Sequence, residues 1–166
     1  NEDYTELQSQ LYARVQDSPD AFHHLELLQW VFIQKKDYKN AFRQAKALDK
    51  RMGENGARIY QLASTAFMDK DYDAAIAAYD FIVAEQGFSS PFYLDAKRES
   101  LRARRNKLVE GFKYTEADLR EVEKAYETFL DEFGRNKTTA SIVAELADLE
   151  ALVEPATRGD PMSPLR

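Results

Sequence analysis

Two histidines and a nearby glutamate are the residues best suited to metal or acid–base chemistry. His23 and His24 are adjacent, and neighbouring helical residues point about 100° apart, so they cannot chelate one ion together. His23 and Glu26 share a helical face, but two ligands do not complete a metal site. We therefore interpret these side chains as solvated polar residues.

The rest of the chain carries no catalytic motif. The sequence has no cysteine, which excludes thiol catalysis, disulfides and cysteine-ligated metal. It has no glycine-rich phosphate loop, no HExxH and no nucleophile–base–acid arrangement. Carboxylates are abundant, but surface acids without an apolar pocket do not indicate acid–base catalysis. We predict a protein that is not an enzyme and uses no cofactor or metal, with an enzyme as the remote alternative.

A basic stretch from Lys97 to Lys107 is the strongest concentration of charge. It holds six basic residues and one acid, and residues 116–132 hold seven acids and two bases, so the two segments carry +5 and −5. The stretch could bind an anionic partner, or the two segments could pair as antiparallel helices and neutralise each other. We favour internal pairing, and expect Arg98 and Arg102 to be the cations that it leaves spare.

Composition narrows the class of protein. The chain has 166 residues, of which 44% are hydrophobic and 31% charged, enough for one globular domain with a continuous core. The net charge of −6 disfavours nucleic-acid binding, because phosphate neutralisation needs a basic surface. No apolar run approaches the ~20 residues of a membrane span. The chain opens on Asn1, which suggests a processed or excised N-terminus.

Three Asp-Tyr pairs recur at one fixed interval. Successive pairs lie 34 residues apart: Asp3-Tyr4, Asp37-Tyr38 and Asp71-Tyr72. A helix breaker lies sixteen residues after each aspartate, and these breakers are Pro19, Gly53 and Gly87. This period is typical of a solenoid built from helical hairpins, in which each unit contacts only its neighbours.

Helical spacing of apolar residues runs through the whole chain, without strand-like alternation. We predict helices at about 2–16, 19–35, 38–52, 57–69, 72–86, 91–110, 115–133 and 138–153, in one domain over 1–153, and an extended or mobile tail over 154–166. Ser90-Pro91 and Thr115, with Asp118 in the capping-box position, mark two helix starts. The 47 residues from Gly87 to Gly134 exceed the period by 13, which indicates an insertion. The helices begin and end in mid-hairpin, so we expect a piece of a longer array.

The 34-residue helix-turn-helix resembles the tetratricopeptide repeat (TPR) family, through its Asp-Tyr turn, the Ala41 and Ala75 that follow, and Pro or Gly at its close. The resemblance implies an all-α fold, a right-handed superhelical solenoid of TPR-like hairpins. The chain departs from the family at Gln29, where a small residue is preferred, and at Leu25 and Ile59, where tryptophan is usual.

Two further resemblances bear on function. The pentatricopeptide class of RNA readers has similar helices but is typically strongly basic, unlike this chain. The stretch from Tyr114 to Leu152 is similar to parts of long TPR arrays in bacterial cell-envelope proteins, which favours the periplasm or outer membrane over the cytoplasm.

In TPR arrays the first helix of each hairpin lines a concave surface on which peptides bind. Carried over to this chain, the resemblance implies partner contacts from eight positions: Glu26, Trp30, Ile33, Tyr60, Ser64, Phe67, Arg98 and Arg102. Trp30, Ser64 and Arg98 take equivalent places, 34 residues apart. The family's carboxylate clamp of Lys and Asn is absent, since Glu26 and Trp30 stand at those places.

These positions support two functions. The first is a non-catalytic protein–protein interaction module or scaffold, whose concave groove holds a peptide or helical segment of another protein with apolar or acidic character. The second is a structural spacer in a longer envelope-associated array. A binding module should leave Trp30, Tyr60 or Phe67 accessible to solvent beside Arg98, whereas a spacer should fill the groove with packed side chains. No nucleic acid or membrane span is expected in either case.

Overall fold

The fold is built from α-helices. The computed structural model describes residues 2–17, 21–111 and 113–157, and these ranges contain eight α-helices and no strand. The helices are α1 (Glu2–Asp17), α2 (Ala21–Gln34), α3 (Tyr38–Met52), α4 (Ala57–Met68), α5 (Tyr72–Phe81), α6 (Tyr93–Gly111), α7 (Glu116–Phe133) and α8 (Ala140–Thr157). The predicted all-α class is confirmed.

Several helix ends differ from the sequence-based prediction. α5 passes at Phe81 into a π-helical turn, Ile82–Gln86, and then a 3₁₀ turn, Gly87–Ser89. α6 begins at Tyr93, two residues past the proline expected to start it, and α8 continues to Thr157. The extended or mobile tail predicted over 154–166 is wrong for its first four residues, which continue α8. Residues 158–166 and the predicted start at Ser18-Pro19 lie outside the described residues. In the described ranges no helix is both long and apolar enough to cross a bilayer.

The chain divides into two compact units, Asn1–Ala96 and Lys97–Arg166. Unit 1 holds α1 to α5 and the first residues of α6, and unit 2 holds the rest of α6 with α7 and α8. The single domain expected over 1–153 stays a prediction.

One turn geometry occurs twice in unit 1, before α3 and before α5. Each aspartate side chain caps its helix by accepting a backbone N–H three residues on, from Asn40 to Asp37 at 3.2 Å and from Ala74 to Asp71 at 3.1 Å. The lysine before each aspartate is left-handed, with φ of 55° and 62°, and the tyrosine after it is buried. Two of the three Asp-Tyr pairs are therefore helix starts, while the first pair of the series lies inside α1.

The first of these tyrosines also joins the start of α3 to the end of α4. Its hydroxyl, on Tyr38, donates a short hydrogen bond to Asp69 at the end of α4. This bond lowers the pKa of Asp69, with a smaller contribution from Lys36, 3.6 Å away. Burial raises the pKa of Tyr38 far above its usual value, and Asp69 adds to the rise. The Asp69 carboxylate is therefore the form that the folded chain favours.

Replacing Asp69 with asparagine should destabilise the chain at neutral pH and have little effect in acid. A lowered pKa in the folded state adds stability above the unfolded pKa of about 3.9, and that stability is lost as the pH falls through the folded value. Urea unfolding of the wild type and Asp69→Asn between about pH 7 and 3 measures the difference. In a Tyr38→Phe background the pH dependence should shrink, and an unchanged dependence would contradict this account.

Small residues bring the helices of unit 1 close together. Fully buried alanines lie on three consecutive helices. Because an alanine side chain is small, its presence at a contact lets two helix axes approach closely. The buried alanines are Ala41 and Ala45 on α3, Ala63 and Ala66 on α4, and Ala75 and Ala78 on α5. Larger buried side chains make up the rest of this core, among them Leu28, Phe32, Leu48, Ile59 and Tyr79. Unit 1 is thus packed in chain order, each helix on the next.

A buried carboxylate ties the end of α3 to the start of α4 and to the π-helical turn after α5. Asp49 is only 4% exposed, and its two oxygens accept the backbone N–H of Gly56 at 2.8 Å and the side-chain amide of Gln86 at 2.9 Å. The Ser90 hydroxyl donates to the Asn55 carbonyl at 2.7 Å beside them. These bonds fix the α3–α4 turn against the π-helical turn.

Unit 2 has its own core between α7 and α8. The predicted capping box is confirmed, since the Thr115 and Asp118 side chains each accept the other's backbone N–H. Buried apolar residues of the two helices then face each other, joined by Leu101 of α6. They are Leu119, Tyr126, Phe129 and Leu130 on α7, and Ile142, Leu146, Leu149 and Val153 on α8.

Candidate functional site

Trp30 is the large aromatic side chain that α2 presents to water. It is 48% exposed, and its ring meets the edge of Tyr4 on α1 at 6.1 Å between centroids. Leu27, one turn earlier on the same face, is 39% exposed, whereas Leu28, Val31 and Phe32 are buried. Ile33 is half-buried. α2 therefore keeps an apolar stripe outside the core.

The aromatic residues predicted on α4 are covered by their neighbours. Tyr60 is half-buried and stacks on Phe92 at 5.2 Å, with Tyr79 edge-on at 5.4 Å. The half-buried ring of Phe67 meets Tyr72 edge-on at 5.5 Å. Ser64 shares a hydrogen bond with the Tyr79 hydroxyl at 3.1 Å. These α4 side chains are engaged inside unit 1 and are less exposed than Trp30.

Glu26 is held by an arginine that the sequence-based prediction missed. Arg58 on α4 donates to Glu26 at 3.1 Å and to Glu54 at 2.7 Å. The hydrogen bond that Arg58 donates to Glu54 raises the pKa of Arg58 the most, burial acts against it, and Glu26 adds a further rise. Arg58 also donates to Gln29 at 3.3 Å. The glutamine that departs from the family pattern is therefore a partner of this arginine, and α2 and α4 are joined at this point.

In unit 2 the predicted spare cations are engaged. Arg102 donates to Glu99 at 2.8 Å, to Glu145 at 2.9 Å and to Ser141 at 2.8 Å. Burial lowers the pKa of Arg102, but the charges of Glu99 and Glu145 outweigh it, so the pKa is raised. Arg98 donates to Glu99 at 3.3 Å. The expectation that these two arginines are spare is wrong, because each already has a carboxylate within reach.

The basic stretch pairs internally, as expected, but with a different distribution of partners. Lys97 pairs with Glu132 on α7. Arg105 lies 4.0 Å from Asp148 on α8, the helix that also carries the glutamate bound by Arg102. The acids of α7 are therefore not the sole counter-ions, and α8, which the charge count passed over, supplies two of them.

A second basic surface, on α3 of unit 1, was not singled out from the sequence. Lys39, Arg43, Lys46 and Lys50 are spaced by four, three and four residues, which places them on one helical face. The sequence contains a signal for this surface, an excess of basic residues: α3 holds five cations and a single acid, the buried Asp49. In the described part of the chain no ion pair reaches Lys39, Arg43 or Lys50.

A groove between α3 and α5 runs beside these cations. Its centre is an edge-to-face pair of rings, Phe42 and Phe81, 5.6 Å apart, with the Lys46 ammonium 4.6 Å and 5.4 Å from their centroids. Toward the helix N-termini lies a hollow of about 300 Å³ lined by Tyr38, Phe42, Ala74 and Ala77 among others. Toward the C-termini lies a cleft of about 670 Å³ with Arg43, Lys46 and Lys50 on its wall.

Three carboxylates of unit 2 also come together. Oxygens of Glu123 and Glu127 on α7 and Glu150 on α8 lie within 4.8 Å of one another. Glu127 and Glu150 are exposed, and exposed acids gather often on helical surfaces without binding an ion. This cluster alone does not make a metal site.

Comparisons with known proteins give no assignment, since the chain matches no protein-family model, no curated protein and no solved structure.

Proposed function

We propose that this chain is a non-catalytic protein-interaction module, a right-handed superhelical solenoid of TPR-like hairpins that holds a peptide or helical segment of another protein. The observation that carries the proposal is Trp30, whose side chain stays half in water on α2 beside the exposed Leu27. The repeated Asp-Tyr turns, with the same caps and the same left-handed lysines 34 residues apart, support the hairpin architecture.

Trp30 suits this role because of its size and position. Tryptophan is among the residues that most often dominate binding energy at protein interfaces. Its contact with Tyr4 limits its freedom in the unbound chain, so less conformational entropy is lost on binding. The Glu26 carboxylate is already engaged by Arg58, and the side chain exposed beside Trp30 is Leu27, so this surface suits an apolar segment. The donors of Arg98 and Arg102 are used within unit 2, so the proposal rests on α2.

Replacing Trp30 with alanine should weaken partner binding by about 2 kcal/mol, or about 30-fold, without unfolding the chain. The immobilised chain and its Trp30→Ala variant are compared for the proteins that each retains, beside Met52→Ala as a control, because Met52 is 51% exposed at the end of α3. Proteins lost with Trp30→Ala alone support the proposal. An unchanged set of retained proteins would overturn it. So would a loss of folding stability in Trp30→Ala as large as the loss of binding free energy.

The second candidate function is a structural spacer within a longer array. The observation that favours it is the packing of α4, where Tyr60 lies against Phe92 and Tyr79. A spacer of this kind would use Trp30 for packing against another repeat. Thermal melting separates the two functions. In a spacer, Trp30→Ala lowers the melting temperature of the whole array and removes no binding partner.

A further inference from the structure

The cations of α3 form a stripe along one helical face, and among the described residues three of them have no ion-pair partner. From Lys39 to Lys50 the stripe covers twelve residues, or about 16 Å of helix. Like charges spaced three or four residues apart repel each other, so the stripe works against the helix that carries it. The chain has a net charge of −6, yet none of its described acids pairs with Lys39, Arg43 or Lys50.

The stripe in unit 1 contrasts with the basic stretch of α6. In unit 2, Arg102 and Arg105 each lie within 4.0 Å of a glutamate or aspartate. On α3 the exposed cations point into solvent along an open groove, and Lys46 is held by two phenyl rings instead of a carboxylate. Charge that is left unpaired beside an apolar groove is what a complementary anionic partner requires.

The groove adds an apolar contact to this charge. The hollow of about 300 Å³ has apolar walls of Phe42, Tyr38 and two alanines of α5, and is large enough for one leucine or phenylalanine side chain. Its lining also includes Lys39 of α3 and two acids at the start of α5, Asp71 and Asp73, so the anchor in this hollow is apolar and the carboxylates of the peptide lie farther along α3.

The cleft beyond the hollow carries Arg43, Lys46 and Lys50 within about 10 Å of helix. Two acids also line it: Asp49, whose oxygens already accept from Gly56 and Gln86, and Glu85 on the opposite wall. An apolar anchor site is thus followed along the groove by three cations.

We propose that the α3–α5 groove binds an acidic peptide segment of a partner protein, with one large apolar side chain in the hollow and carboxylates along the cations. This surface uses α3 and α5, and so lies beyond the α2 surface of the proposed function. An extended peptide rises about 3.3 Å per residue, so acids at every second position match cations spaced by three or four helical residues. The apolar hollow favours a peptide over a nucleic acid, whose phosphates need cations alone.

The probe is a fluorescently labelled synthetic peptide of about ten residues, with one leucine followed by glutamates at alternate positions. Two control peptides replace the leucine with serine or the glutamates with glutamine. Fluorescence anisotropy measures binding to the full chain at low salt and at about 0.5 M salt. We expect saturable binding of the leucine–glutamate peptide, weakened by salt because exposed charges are screened, and at least about tenfold weaker binding of both controls.

Two double variants with equal changes in charge separate local contact from long-range attraction. Arg43→Glu/Lys50→Glu reverses two cations of the cleft, and Arg14→Glu/Arg51→Glu reverses two exposed cations outside its lining. We expect a loss of about tenfold or more in the first and less than about twofold in the second. Ala77→Phe, at an exposed position lining the hollow, should reduce binding to that of the serine peptide.

Three results would overturn the proposal. One is the absence of saturable binding by the wild type up to about 1 mM peptide. Another is equal weakening of peptide binding in the two double variants while both keep the wild-type melting temperature. Binding would then depend only on the overall electrostatic field of the protein and not on contacts in the groove. The third is a single-stranded RNA that binds more tightly than the peptide and is weakened selectively by Arg43→Glu/Lys50→Glu, since the groove would then be a nucleic-acid surface.

Discussion

Replacing Gly56 with alanine is expected to lower the free energy of unfolding by about 3 kcal/mol. Gly56 begins the turn into α4 with φ of +94°, a backbone conformation that residues with a Cβ rarely adopt. A Cβ at this position would also lie 2.6 Å from the side-chain oxygen of Gln86 and 3.4 Å from Ile82. The substitution therefore combines backbone strain with a close contact.

The close contact is costly because Gln86 is held in place. Its amide nitrogen donates to Asp49 at 2.9 Å, and the other oxygen of Asp49 accepts the Gly56 N–H at 2.8 Å. Moving Gln86 away would break a bond to a buried carboxylate, so the turn or the π-helical segment must shift instead. Backbone strain of about 1–2 kcal/mol and overpacking of about 1–3 kcal/mol account for the expected loss.

Two other glycines provide matched controls. Gly53 also has a positive φ, +64°, but a Cβ there meets nothing within 4 Å, so Gly53→Ala should cost only the strain, about 1 kcal/mol. Gly111, in the last turn of α6, has open space and no positive φ, so alanine there should stabilise by up to about 1 kcal/mol.

Urea unfolding followed by the fluorescence of Trp30 and by far-ultraviolet circular dichroism measures these differences. Trp30 is the single tryptophan and lies in unit 1, so its fluorescence reports on the unit that contains Gly56. If Gly56→Ala were no more destabilising than Gly53→Ala, the hydrogen bonds of Asp49 to Gly56 and Gln86 would rearrange at no cost in free energy. The account in which they hold the α3–α4 turn in place would then be wrong.

The features that could be predicted from sequence depend on residues within a few positions of one another. The caps at Asp37 and Asp71, the left-handed Gly53 and the Thr115 capping box are each formed by neighbours in sequence. Residue type and spacing specify such contacts directly, because the backbone geometry of a helix end is nearly constant. The all-α class follows from the same local patterns.

The features that could not be predicted depend on distant partners. Arg58 meets Glu26 across 32 residues, and Arg102 meets Glu145 across 43. A charge count found the basic stretch of α6 but could not tell that its arginines are paired while those of α3 are not. Whether Trp30 is exposed or buried also depends on which helices pack beside α2, and amphipathic spacing does not specify that.

Glu145→Ala should lower the stability of unit 2 by about 3 kcal/mol. One oxygen of Glu145 accepts from Arg102 at 2.9 Å, and the other accepts from the hydroxyl of Tyr126, also at 2.9 Å. Tyr126 is fully buried, and this burial, followed by the charge of Glu145, raises the pKa of its phenol far above the usual value. Removing the carboxylate leaves a buried hydroxyl unsatisfied, at a cost of about 1–3 kcal/mol, and also weakens the hold on Arg102.

A double-mutant cycle with Tyr126→Phe tests the cause of this loss. Tyr126→Phe alone should cost about 1 kcal/mol, since the carboxylate keeps its arginine. The double variant has no orphaned hydroxyl, so its loss should be smaller than the sum of the single losses by about 1–2 kcal/mol. Glu145→Gln keeps an acceptor for Tyr126 and should cost about 1 kcal/mol. Amide hydrogen exchange in α7 and α8 measures these values within unit 2, and strictly additive losses would mean that the Tyr126 hydroxyl does not depend on Glu145.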